Sequence, residues 1–133
     1  MSEARPKQFV AVFDFGAQYG QLIARRVRDL HVYSEIVPCD ISADELAAMA
    51  PSAIILSGGP ASVYAEGAPD MDARVFELGI PILGFCYGEQ IMAVKLGGEV
   101  AHTDKGEYGP ATLTRLGSSV LLDGTPEGGQ TVW

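Results

Sequence analysis

Cys86 stands between two glycines in Gly84-Phe85-Cys86-Tyr87-Gly88, where an apolar run ends and a helical pattern begins. This is G-x-C-x-G, the cysteine form of the nucleophile elbow. A nucleophile on a sharp strand-to-helix turn projects clear of the sheet, and the flanking glycines leave room for the tight backbone. The helix that starts just after the sulfur favours thiolate over thiol through its positive N-terminal end. The N–H of Tyr87 can point at an oxyanion. The competing reading is a core cysteine, the common fate of a free thiol. The elbow glycines and the strand–helix setting favour the nucleophile.

A second loop, Ser57-Gly58-Gly59-Pro60, follows another apolar run. In an open α/β sheet, ligands sit beyond the carboxyl ends of the strands, so this loop and the elbow should emerge at one edge. Gly58 and Gly59 let the backbone approach a ligand closely, and Gly59 is the candidate for a second oxyanion donor. Gln90 falls one turn after Cys86, where its amide could reach a polar substrate or simply be solvated. Asp14-Phe15-Gly16 could line the pocket or turn the chain. A cysteine nucleophile needs a base and, commonly, an orienting acid. His31, at the end of a helical pattern, and His102, in an extended segment away from the elbow edge, are the only histidines, and neither is a convincing base. Cys39 has no elbow glycines and reads as structural. The acidic stretch Glu66 to Asp72 reads as a solvated loop.

The elements that must position these groups alternate between strand and helix, the signature of βαβ units and a parallel sheet. Phe9–Phe13, Tyr33–Val37, Ala53–Ser57 and Ile80–Gly84 are expected strands, their apolar runs suited to burial on both faces. Helices are expected over about Gln18–Leu30, with Ile23, Val27 and Leu30 on its apolar face, and over about Tyr87–Leu96. A shorter helix opens at Ser42, whose capping box uses Glu45, and carries Leu46 and Met49. Another covers Met71–Leu78. Beyond Gly97-Gly98, the segments Glu99–His102, Tyr108–Leu116 and Val120–Leu122 read as short extended pieces, a strand-rich addition at the sheet edge.

Composition removes several classes of function. The 133 residues hold 9 Lys+Arg against 17 Asp+Glu, a net charge of −8. Nucleic-acid binding needs a basic stripe, whereas the one basic cluster, Arg25, Arg26 and Arg28, sits on a helical pattern. No apolar run spans a membrane, and Met1 to Gln8 is a polar tail without a signal-peptide core. Two cysteines make no disulfide framework, so a reducing, cytoplasmic setting is expected. No metal-ligand spacing occurs. The final Gln130-Thr131-Val132-Trp133 reads as the start of a further strand, so the chain is expected to be part of a longer one. Left open, that apolar edge would self-associate.

The chain resembles the class I (triad) glutamine amidotransferase domain, and within it the GMP synthase branch. The resemblance rests on Asp14-Phe15-Gly16-Ala17-Gln18-Tyr19, on Ser57-Gly58-Gly59-Pro60 with Ser62-Val63-Tyr64, on Gly84 to Gln90, and on Glu107-Tyr108-Gly109. It implies a flavodoxin-like α/β fold: an open, mostly parallel sheet with helices on both faces. Residues 1–8 would be a tail and residues 9–133 an incomplete glutaminase domain. It implies that Cys86 attacks glutamine to form a γ-glutamyl thioester, that Gly59 and Tyr87 give the oxyanion donors, and that Gly58, Gly59 and Gln90 lie at the bound glutamine. The domain itself would need no cofactor or metal. Ammonia would pass to an ATP-pyrophosphatase domain of the same chain, using ATP and Mg2+ to aminate XMP, in a homodimer. The family's triad His and Glu belong to an H-x-E segment that this sequence lacks, so the 133 residues alone are expected to be inactive. Gly106 and Glu89 depart from the family's usual residues. The glutaminase half is common to anthranilate, carbamoyl-phosphate and CTP synthesis, and a non-catalytic glutamine-binding module also fits the missing base.

Overall fold

A computed structural model of the chain describes residues 7–16, 19–59, 62–101, 109–126 and 128–132. The chain divides into two compact units, Met1–Val100 and Ala101–Trp133. In the first, four parallel strands form one sheet in the order β2-β1-β3-β4, with β1 Phe9–Asp14, β2 Tyr33–Pro38, β3 Ala53–Leu56 and β4 Ile82–Gly84. Val12 pairs with Ile36 on one side and Ile55 on the other, which makes β1 central. The strand order reverses after β2. Right-handed crossovers therefore carry α1 (Tyr19–Asp29) to one face and α2 (Ala43–Met49) to the other. Alternate residues of β1 sort accordingly. Phe9, Ala11 and Phe13 join Leu46, Val75, Tyr87 and Ile91 in the main core, whereas buried Val12 points to the opposite face.

The capping box forms as expected: Ser42 Oγ accepts the Glu45 N–H at 3.1 Å and opens α2. Three expectations change. The segment Met71–Leu78 makes only a 3-10 turn over Ala73–Glu77, opened by Asp72. Strand β4 begins at Ile82, because Pro81 has no N–H to give the ladder and contributes only its carbonyl, to Ile54 N–H at 2.9 Å. On α1 the buried residues are Gly20 and Ala24. Ile23 and Val27 are half-buried and Leu30, past the helix end, is 76% exposed. Small residues let this helix lie close: Ser34 Oγ, buried in β2, donates to the Ala24 carbonyl at 2.7 Å.

Asp72 is the clasp between two elements. Its carboxylate accepts the Ala43 N–H and the Arg74 N–H, each at 3.0 Å, and pairs with the Arg74 guanidinium at 2.9 Å. The guanidinium foremost, then these N–H groups, hold the carboxyl well below the usual carboxylate range. A carboxyl depressed in the folded state stabilises fully above its unfolded pKa, and that stability is lost as pH falls toward the folded value. Asp72→Asn is therefore expected to lower the melting temperature at neutral pH and to flatten its decline below about pH 4. Thermal melts between pH 2 and 7 measure both. An unchanged acid limb would contradict the clasp.

In the second unit, β5 (Ala111–Leu113) and β6 (Gln130–Val132) pair with each other, antiparallel, through Thr112 and Thr131. The expected addition at the sheet edge thus pairs within itself, and Thr131-Val132 is already partnered on one side. Val120–Leu122 is a 3-10 turn capped by Ser119 rather than an extended piece. Glu99–Ala101 forms no strand, and His102, Lys105-Gly106-Glu107, Tyr108 and Trp133 lie outside the described residues.

Candidate active site

The loops that follow β1, β3 and β4 meet at the carboxyl edge of the sheet, where open α/β folds bind ligands. Pairing with β3 continues one residue past β4, since the Phe85 N–H donates to the Leu56 carbonyl at 3.0 Å. The chain then reverses. Cys86 takes φ 51° and ψ −114°, and α3 (Tyr87–Lys95) begins at the next residue. The Gly88 N–H donates to both the Phe85 carbonyl at 2.8 Å and the Ser57 carbonyl at 3.1 Å, and the Cys86 carbonyl accepts the Gln90 N–H at 3.1 Å. A non-glycine residue held at such a φ costs about 1–3 kcal/mol and persists only where its surroundings over-determine it. The Cys86 thiol is exposed and caps nothing.

The elbow glycines are required by space rather than by φ. A methyl group on Gly88 would lie 2.2 Å from the Leu56 carbonyl oxygen, and one on Gly84 would lie 2.9 Å from the Glu89 nitrogen. The β3 loop closes on the elbow from the other side. Ser57 is buried, with Oγ donating to the Phe13 carbonyl at 2.6 Å, and a methyl group on Gly58 would sit 3.6 Å from Cys86 Cβ. Tyr87, the first residue of α3, has an N–H outside the intrahelical ladder. Among the described residues, no hydrogen bond takes the N–H of Gly59 or of Tyr87. Gln90 is half-buried on the first turn, four residues from Cys86 and on the same side of the helix.

The structure brings Cys86, Gly58, Gly59, Tyr87 and Gln90 together and leaves the other candidates out. His31, exposed with φ 64°, precedes β2 and so lies at the amino edge of the sheet, opposite the elbow. His102 and Pro60 lie outside the described residues. Cys39 packs against the core, and burial first, then Asp40, pushes its thiol up. Asp14 turns the chain, its carboxylate accepting the Gly16 N–H at 2.8 Å. The acidic stretch is more than a solvated loop: besides the Asp72 clasp, Asp70 accepts from Lys95 Nζ at 2.7 Å, which draws its carboxyl down. Sequence reading missed the side chain of Tyr87, which is buried and donates its hydroxyl to the Pro69 carbonyl. A partner 18 residues upstream leaves no local signal. Among the described residues, no cluster of three or more His, Cys, Asp or Glu could hold a metal ion, and no helix is long and apolar enough to cross a membrane.

Residues 11–130 match the family model for glutamine amidotransferase class-I. The chain is 56% identical over 124 residues to a GMP synthase [glutamine-hydrolyzing] of Thermobifida fusca, covering 93% of this chain and 23% of that protein. It is 56% identical over 130 residues to the same-named protein of Nocardia farcinica, covering 98% and 24%. The chain thus spans about a quarter of the length of these relatives. A solved structure from Thermoplasma acidophilum, assigned provisionally as one subunit of a GMP synthase, superposes with a TM-score of 0.79 at 29% identity, over 98% of this chain and 65% of that one.

Proposed function

Because the chain belongs to the class-I glutamine amidotransferase family, we propose that it carries the glutamine-hydrolysing site of a GMP synthase. The elbow carries this reading: an exposed thiol at a strained strand-to-helix turn, beside two N–H groups that no hydrogen bond takes among the described residues. The Cys86 thiolate attacks the side-chain amide carbon of glutamine, forming a C–S bond, and the carbonyl oxygen becomes an oxyanion facing the N–H of Gly59 and Tyr87. Collapse expels the nitrogen, which takes up a proton and leaves as ammonia. Water then hydrolyses the thioester to glutamate and frees the thiol. Gln90 orients the substrate amide, and Gly58 gives it close passage. None of these steps needs a metal or cofactor.

The family's base and acid belong to an H-x-E segment, and the 133 residues contain none; alone they are expected not to turn over glutamine. The ammonia serves an ATP-pyrophosphatase domain that uses ATP and Mg2+ to aminate XMP to GMP, in a homodimeric whole. The high identity to proteins of that name supports this acceptor over those of anthranilate, carbamoyl-phosphate or CTP synthesis.

The test is selective labelling. The diazoketone 6-diazo-5-oxo-L-norleucine, a glutamine analogue, is expected to alkylate Cys86 at least about ten times faster than Cys39, whose raised pKa leaves less thiolate. Peptide mapping by mass spectrometry reads the two sites. Equal labelling would overturn the assignment of Cys86.

A further inference from the structure

We propose that the aromatic ring of Tyr87 is a positioning element of the oxyanion site: it is the spacer that sets the distance between the N–H of Gly59 and the N–H of its own residue. This rests on the glutaminase reading of Cys86. Tyr87 is 2% exposed although it directly follows the exposed nucleophile. Its ring lies 5.2 Å from that of Phe15. A methyl group on Gly59 would stand 3.1 Å from Tyr87 Cγ and 3.1 Å from the Phe15 carbonyl oxygen, so the Gly59 backbone rests directly on the ring and on the β1 loop. The far end of the ring is anchored as well, through its hydroxyl to the Pro69 carbonyl. Burial pushes the phenol up, which keeps it a donor to that carbonyl. The loop bearing Pro69 is tied to α3 and to the residues after it: Asp70 to Lys95 at 2.7 Å, and Tyr64 Oη accepting the Val100 N–H at 3.2 Å.

One donor is thus carried by the residue whose side chain supports the other. Oxyanion donors act at about 2.7–3.1 Å from the developing charge, and a misplacement of about 1 Å costs on the order of 10²-fold. Without the ring, the Gly59 backbone loses the α3 side chain it rests on. Only steps that build an oxyanion should suffer. Alkylation of Cys86 by iodoacetamide forms a C–S bond at a saturated carbon and releases iodide, and it needs no such site.

Two rates therefore separate positioning from folding, measured on the protein as its gene encodes it. In Tyr87→Ala, kcat for glutamine hydrolysis is expected to fall about 10²-fold with KM within about threefold, while the iodoacetamide rate at Cys86 stays within about threefold. In Tyr87→Phe, which keeps the ring, kcat is expected to stay within about threefold, while amide hydrogen exchange at residues 62–70 quickens because the Pro69 tie is gone. If Tyr87→Ala does not fold, Tyr87→Leu carries the same pair of rates. An unchanged kcat in the ring-less variant, a parallel fall of both rates, or an equal loss in Tyr87→Phe overturns the spacer. A native protein that reacts with iodoacetamide at Cys86 but hydrolyses no glutamine overturns the glutaminase reading itself.

Discussion

On the glutaminase reading, Cys86→Gly in the protein as its gene encodes it is expected to abolish glutamine hydrolysis and, in the same molecule, to raise the melting temperature. Loss of the nucleophile should lower kcat by on the order of 10⁴-fold or more, as removal of a covalent nucleophile does elsewhere. Stability moves the other way because Cys86 sits at φ 51° and ψ −114°, where a Cβ is strained by about 1–3 kcal/mol. Glycine removes that strain but brings about 0.5–1 kcal/mol of extra freedom to the unfolded chain. The net gain is about 1 kcal/mol, or roughly 3–5 °C for a chain of this size. Cys86→Ser is the control: it loses activity yet keeps its Cβ, and its melting temperature should not rise. Calorimetry beside a glutaminase assay measures both effects. Equal melting temperatures for the two variants would mean that the native elbow stores no strain.

Gly88→Ala is expected to be the most damaging single-methyl change in the first unit. The added carbon would meet the Leu56 oxygen at 2.2 Å, the Leu56 carbonyl carbon at 2.6 Å and its Cβ at 2.6 Å. Two of these are main-chain atoms of β3, which cannot swing aside as a side chain could. Relief requires α3 to lift from the sheet, and that would break the Gly88 N–H bond to the Ser57 carbonyl. Overpacking costs about 1–3 kcal/mol where neighbours can shift; here the cost should reach about 3 kcal/mol or more, a fall in melting temperature of roughly 10 °C or beyond. Cys86 would leave its place beside Gly58, and hydrolysis should be lost with it. Gly67→Ala is the contrast. Its Cβ meets nothing within 4 Å, and only the positive φ of 72° opposes it, so about 1 kcal/mol is expected. Denaturant titration of the two variants compares them, and similar costs would refute the close contact.

Much of the architecture is legible because it is written in local chemistry. Continuous apolar runs such as Ala53–Leu56 mark strands covered on both faces. Ser42 with Glu45 marks a helix start, and G-x-C-x-G marks the elbow. What stays illegible depends on partners distant in sequence. Ile23, Val27 and Leu30 have helical spacing, yet Gly20 and Ala24 face the sheet, because closeness there is set by how near the backbones can approach. Val120–Leu122 is apolar enough for a strand but turns, since Ser119 offers its side chain to the Leu122 N–H. The meeting of Cys86 with Gly58 and Gly59 is legible from motif and edge, whereas Gln90 by its spacing alone reads equally as a solvated helix residue. The ring of Tyr87 is not legible, for nothing near it announces Pro69 or Phe15.

The hydrogen bonds that fix the elbow have a consequence for the order in which the molecule is made. Phe85 N–H to Leu56 and Gly88 N–H to Ser57 each join residues roughly thirty positions apart, so the loop-closure entropy between β3 and β4 must be met before either bond can form. Until then nothing compels Cys86 into its positive-φ turn, and residue 86 follows the ordinary preferences of an unfolded chain. The helix start beside the sulfur and the neighbouring N–H groups arrive with that closure, late rather than early. The thiol therefore acquires its special surroundings only once the sheet that carries it is complete, and a nascent or partly unfolded chain carries an ordinary cysteine.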